Sequence, residues 1–184
     1  MSQPPGIGHN SGADLRGYTG RLHQWRRARR ALLGAALPIE VVRLRVARAA
    51  ALGLDYRTYA GIRATTGRDV TALLFSSNAL GMIRRAELDA ARAAKLAAVA
   101  AERGVLVHPP LPVTAPDPLD FTARAPGFAE PWSALRDRLR AVLAGRGLPA
   151  DAVVMVGDTA FEREWCAAIR AAGYVPASRY FAGI

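Results

Sequence analysis

The sequence predicts an α/β fold: a three-layer, mostly parallel sheet of about four strands, preceded by a basic helical segment. Short apolar blocks at 70–75, 105–108 and 153–156 are bounded by turn residues and have the length of buried strands rather than helices. Stretches with helical spacing of apolar residues lie between them. Strands that alternate with helices are joined by crossover connections, which makes the strands parallel and places helices on the faces of the sheet.

Residues 1–20 are rich in Gly, Pro, Ser and Asn and nearly free of bulky apolar side chains, so they are expected to form a disordered leader. Its peptide Gly6-Ile7-Gly8-His9-Asn10-Ser11-Gly12 resembles a short leader found on phage- and plasmid-related proteins. The rest, 21–184, is expected to form one domain, with a basic helical part at 21–68 and strand–helix alternation at 69–184. Pro38 suits the first turn of a helix that Gly53 closes, with Ile39, Val42, Val46 and Ala49 as its buried stripe. Asp55 caps the next helix, which runs to about Thr65 and stops at Gly67.

A first strand at 70–75 then leads through Ser76, Ser77 and Asn78 into a helix expected to run past Met82 and Ile83 towards Arg103. Gly104 is expected to stop that helix before a short second strand at 105–108. A proline-rich loop at 109–131 precedes a helix with Trp132, Leu135, Leu139 and Val142 on one side. The strand at 153–156, a helix at 161–172 and a last strand near 174–177 complete the chain.

The formal net charge is +10, and residues 1–70 carry most of it, with twelve Arg against four acidic residues. Such a front suits an acidic protein or nucleic acid. Arg26, Arg27, Arg29 and Arg30 form a cluster suited to phosphate contact, and Arg57 and Arg63 lie on the second helix of a possible helix-turn-helix around Gly53. No apolar run approaches the roughly 20 residues of a membrane helix, so no membrane association is expected. The single cysteine, Cys166, excludes an intramolecular disulfide and suits a reducing, cytoplasmic compartment. Its spacing from Phe161, Trp165 and Ile169 predicts core packing.

In a parallel sheet the carboxyl ends of the strands share one rim, where open α/β sheets bind ligands. That rim would gather Ser76, Ser77 and Asn78, then His108, then Asp158 and Thr159. Two readings stand side by side. Hydroxyls and amides at helix starts form an anion site, and the same residue types serve as helix caps and turn formers. The sequence reveals no acid or thiol partner for His108 or His23. It also has no Gly-x-Gly-x-x-Gly after a strand, no Gly-Lys-Ser/Thr loop and no Gly-x-Ser-x-Gly elbow.

The segment 134–173, with Val153-Val154-Met155-Val156-Gly157-Asp158-Thr159, Glu162 and Ala171-Ala172-Gly173, resembles the last conserved portion of haloacid dehalogenase-like (HAD-like) hydrolases, and Phe75-Ser76-Ser77-Asn78 resembles that family's second motif. The resemblance implies a Rossmann-like sheet, phosphate contact by Ser76 or Ser77, magnesium at Asp158 and Glu162, a catalytic role for Asp158, and Arg124 or Arg136 as the usual basic residue. The chain departs from the family in having no Asp-x-Asp pair upstream of Ser76. Without that carboxylate no phosphoaspartyl intermediate can form. The expectation is binding of an anionic, phosphate-bearing ligand or partner at the strand ends, on what the resemblance implies is a degenerate HAD-like hydrolase, with nucleic-acid binding or a macromolecular accessory role through the Arg-rich N-terminal helices as the alternative.

Overall fold

The computed structural model describes residues 37–183. One compact unit spans 43–183 of these and carries the sheet; residues 37–42 belong to a preceding unit. The leader and Arg26, Arg27, Arg29 and Arg30 lie outside the described residues.

Five strands form one sheet: β1 (Ala72–Ser76), β2 (Glu102–Val107), β3 (Phe121–Arg124), β4 (Val153–Gly157) and β5 (Gly173–Pro176). They lie in the order β3-β2-β1-β4-β5 and every pairing is parallel. The expected α/β parallel architecture is present, with one strand more than expected. The extra one, β3, lies inside the segment that its prolines mark as a loop. Those prolines flank Phe121 to Arg124 and leave its backbone free to pair with β2.

Among the described residues six α-helices accompany the sheet: α1 (Ile39–Ala51), α2 (Tyr56–Thr66), α3 (Ala90–Ala97), α4 (Trp132–Gly145), α5 (Ala160–Ile169) and α6 (Ala177–Tyr180). Side chains alternate across the strands, so the sheet has an apolar core on each face. Leu73, Phe75, Val105 and Val154 pack with Leu52 and with Tyr59 and Ile62 of α2 and Leu96 of α3. Leu74, Leu106 and Met155 pack with Leu135 and Leu139 of α4 and Trp165 of α5. The direction of winding reverses between β1 and β4. From β1 the chain proceeds through β2 to β3 on one side, then crosses back to β4 and on to β5.

Several local expectations are met. Asp55 caps α2 by accepting from Thr58 N, and Gly67 closes that helix in the left-handed conformation. Cys166 packs at the edge of the second core, where burial pushes its thiol up.

Others are corrected. Of the stripe expected on α1 only Ala49 is buried, while Ile39 and Val46 are exposed. The helix is held by its end, where the Arg48 guanidinium donates to Asp69 Oδ2 at 2.9 Å, Val70 O at 2.8 Å and Ala100 O at 2.9 Å. No helix follows β1 directly. Ser76 Oγ accepts from Ala79 N at 3.0 Å, Met82 N donates to Ser77 O at 2.8 Å, and Gly81 takes φ +71°, so the chain winds through turns that bury Leu80 and Met82. Helix α3 begins only at Ala90, capped by Asp89. Gly104 sits within β2 rather than ahead of it, because the Phe121 ring of β3 lies over it where any side chain would stand.

Candidate functional site

The site is built where β1 and β4 leave the sheet, at the point where the winding reverses. β4 ends in Gly157, and α5 starts at Ala160 with Thr159 as its cap. Thr159 Oγ1 accepts from Glu162 N at 3.2 Å, and Glu162 Oε2 accepts in return from Thr159 N at 3.0 Å and Asp158 N at 2.6 Å. This capping box draws the Glu162 carboxylate beneath the end of the strand, next to Gly157, where a Cβ would press on the Tyr174 ring and on Glu162 Cβ. Glu162 is 1% exposed.

Its other oxygen reaches across to β1 and β2. Glu162 Oε1 accepts from Asn78 Nδ2 at 2.9 Å and lies 3.5 Å from His108 Nε2. The far edge of the imidazole meets Ser77, whose Oγ is 2.9 Å from His108 Nδ1 and accepts the His108 backbone N–H at 3.2 Å. Trp165 of α5 covers one face of the ring, with centroids 5.3 Å apart. Burial holds the imidazole below its ordinary pKa, against the opposing pull of Glu162. The exits of three strands, β1, β2 and β4, thus converge on one carboxylate, and His108 has an acidic partner that sequence spacing does not reveal.

A hydroxyl, an imidazole and a carboxylate in series are also the parts of a nucleophilic triad. Here they cannot act as one. Ser77 is wholly buried, its hydroxyl is held between two atoms of His108, and no substrate carbonyl or phosphorus can approach it. Ser76 is also buried, with its hydroxyl committed to Ala79 N, and the Thr159 hydroxyl serves the α5 cap. These three predicted ligand contacts are instead occupied in shaping the rim.

Asn78 and His108 do reach open space. They lie in the wall of a cavity of about 480 Å³ whose remaining lining includes Met82, Ile83, Leu111 and Phe128. Asp158, whose side chain is exposed, lines a separate cavity of about 340 Å³ with Asp89, Arg92 and Ser178. A third cavity, of about 610 Å³, adjoins the first at Ile83; its charged lining is Arg84, Arg85 and Arg92 together with Glu87 and Asp89. None of these arginines is singled out by the sequence, although the pair Arg84-Arg85 follows the β1 exit closely enough to be a signal.

The magnesium ion implied by the family resemblance does not fit the donor set. Both Glu162 oxygens already accept hydrogen bonds, so the pair the resemblance names, Asp158 and Glu162, offers only one open carboxylate. Among the described residues there is no group of three or more His, Cys, Asp or Glu side chains placed to hold a metal. Of the basic residues that resemblance suggests, Arg124 donates to Leu111 O at 2.8 Å and Arg136 pairs with its neighbour Asp137. On α2, Arg57 is exposed, and Arg63 lies 3.8 Å from Asp69. No helix among the described residues is long and apolar enough to cross a membrane.

No family model matches the chain, and no curated protein or solved structure matches it at the significance that kinship requires.

Proposed function

We propose that this protein binds a phosphate-bearing small molecule at the carboxyl rim of its sheet, with the anion held by Arg84 and Arg85. The observation that carries this reading is the state of those two guanidiniums. Both are exposed on the segment that leaves the central strand β1, they line a cavity, and among the described residues neither makes an ion pair. Arg48, Arg68, Arg103, Arg138, Arg146 and Arg179 each sit on a carboxylate. Among the described residues Arg57, Arg140 and Arg170 are likewise exposed without an ion pair, but they line none of the three cavities; Arg84 and Arg85 are set apart by being adjacent and sharing a cavity wall. Two adjacent unmatched guanidiniums at a ligand-binding rim suit bidentate recognition of a phosphate.

Binding without hydrolysis is the corollary. The HAD-like resemblance calls for an Asp-x-Asp nucleophile pair upstream of Ser76, which the chain lacks, and the exit of β1 presents only Ser77 and Asn78. A buried hydroxyl and an amide do not replace it.

Calorimetric titration of the full chain with inorganic phosphate and ribose 5-phosphate tests the reading. The wild type is expected to bind ribose 5-phosphate, and the double substitution Arg84→Ala/Arg85→Ala to weaken it at least tenfold, about 1.4 kcal/mol. Since both side chains are exposed, the variant should keep its stability to within about 0.5 kcal/mol. Phosphatase assays with magnesium should show no turnover in the wild type or in Asp158→Asn. Retained affinity in the double variant sinks the assignment. Tight duplex DNA binding with a steep salt dependence would point to a nucleic-acid partner instead.

A further inference from the structure

We infer that the cavity over β1, β2 and β3 receives an uncharged planar heteroaromatic ring carried by the same ligand, so that the ligand is a phosphorylated heteroaromatic compound of nucleotide type. This rests on the reading that Arg84 and Arg85 hold a phosphate.

The cavity, about 480 Å³, falls within the size range of small-molecule sites, and its lining is mainly apolar with a few polar groups. Its rim exposes two large apolar side chains, Phe128 at 78% and Ile83 at 71%. Exposed apolar groups clustered about a concave site, with arginines beside them, mark a place that is covered when occupied. Phe128 is held flat against Phe161, with ring centroids 4.6 Å apart and planes within 26°. A stacked pair of this kind keeps one aromatic wall in place for a third planar group. Met82, largely buried in the same lining, contributes a polarizable thioether that suits an aromatic face.

The polar group in the lining suits a ring edge that carries a donor. One Asn78 Nδ2 hydrogen goes to Glu162, which fixes the amide and leaves its oxygen to accept from a ring N–H or amino group. The adjoining cavity begins at Ile83, one residue before Arg84, so ring and phosphate would lie on either side of the same short segment.

The test is calorimetric titration of the full chain with adenosine 5′-monophosphate, uridine 5′-monophosphate and ribose 5-phosphate, and with the two nucleosides. The better nucleotide should bind at least tenfold tighter than ribose 5-phosphate. Phe128→Ala, and independently Ile83→Ala, should bring nucleotide affinity down to the ribose 5-phosphate level while leaving ribose 5-phosphate itself unchanged. Equal affinity of the nucleotides and ribose 5-phosphate, or indifference to both substitutions, overturns the ring pocket and leaves the anion reading intact. Nucleoside binding that is sensitive to Phe128→Ala, with no contribution from phosphate, would support the ring pocket and sink the anion reading. Loss of a dimer in Phe128→Ala, by sedimentation, with unchanged nucleotide affinity would assign the patch to a second copy of the chain and overturn the proposal.

Discussion

Ser77 Oγ lies 2.9 Å from His108 Nδ1 while accepting the His108 backbone N–H, so β1 and β2 are joined side chain to side chain at the rim. The hydroxyl oxygen already accepts, which leaves its hydrogen for Nδ1. The ring's own hydrogen then sits on Nε2 and faces Glu162.

This predicts both a tautomer and a pH dependence. Long-range nitrogen–proton correlation spectra at pH 7 should find the imidazole hydrogen on Nε2. Burial lowers the folded-state pKa below the unfolded value of about 6.5, so the stability contributed by a neutral ring is fully present above that value. It is lost as pH falls through the folded pKa. Urea unfolding between pH 7.5 and 5 should show a decline in the wild type that His108→Gln flattens, and parallel slopes would contradict the assignment.

Glu162 is the joint of the network. Its two oxygens are met by donors from Asn78, Asp158 and Thr159, with His108 Nε2 close by. Glu162→Gln turns one of these acceptors into an NH₂ group that faces donors in a buried site. The expected cost is about 3 kcal/mol in denaturant unfolding, against about 1 kcal/mol for removing only the cap in Thr159→Ala. Equal losses in the two variants would show that Glu162 does no more than cap α5.

At Gly104 the effect comes from shape alone. A methyl group there meets the Phe121 ring of the neighbouring strand, so Gly104→Ala should destabilise by about 2 kcal/mol through overpacking. Shrinking the ring in Gly104→Ala/Phe121→Leu should recover part of that loss. Losses that simply add in the double variant would place the cause in the backbone instead.

Edge strand β3 depends on an ion pair. Asp120 accepts from Arg103 Nε, Nη2 and N, and the Arg103 side-chain hydrogen bond is the main cause that holds its carboxyl below the ordinary range. A depressed carboxylate stabilises the fold above its unfolded pKa of about 3.9 and ceases to do so as pH falls through the folded value. Asp120→Asn should therefore cost about 1 kcal/mol at pH 7, a figure reduced for partial exposure, and less at pH 2. Thermal melts at the two pH values check this.

How much of this was legible in the sequence depended on the range of the interaction. Asp55, Thr159 and Gly67 act within a turn of their own helices, and their positions mark the ends of α2 and the start of α5 directly. The apolar block before Gly157 predicts β4 because a strand buried on both faces needs nothing else. Strand β3 escaped because four residues among prolines carry too little pattern, and the turn after β1 escaped because Ser76 and Ser77 read as helix caps. Glu162 enters as a ligand only through the family resemblance, and its burial at the end of β4 is settled by packing.

The chain alone therefore determines the alternation of strands and helices, the ends of most elements and the concentration of positive charge at its front, since each follows from neighbours within a few residues. The tertiary structure decides which strand lies beside which and which side chains meet on the rim. Ser77 and His108 are separated by 31 residues and Asn78 and Glu162 by 84, and only the parallel order of β2, β1 and β4 brings their atoms into hydrogen-bonding range.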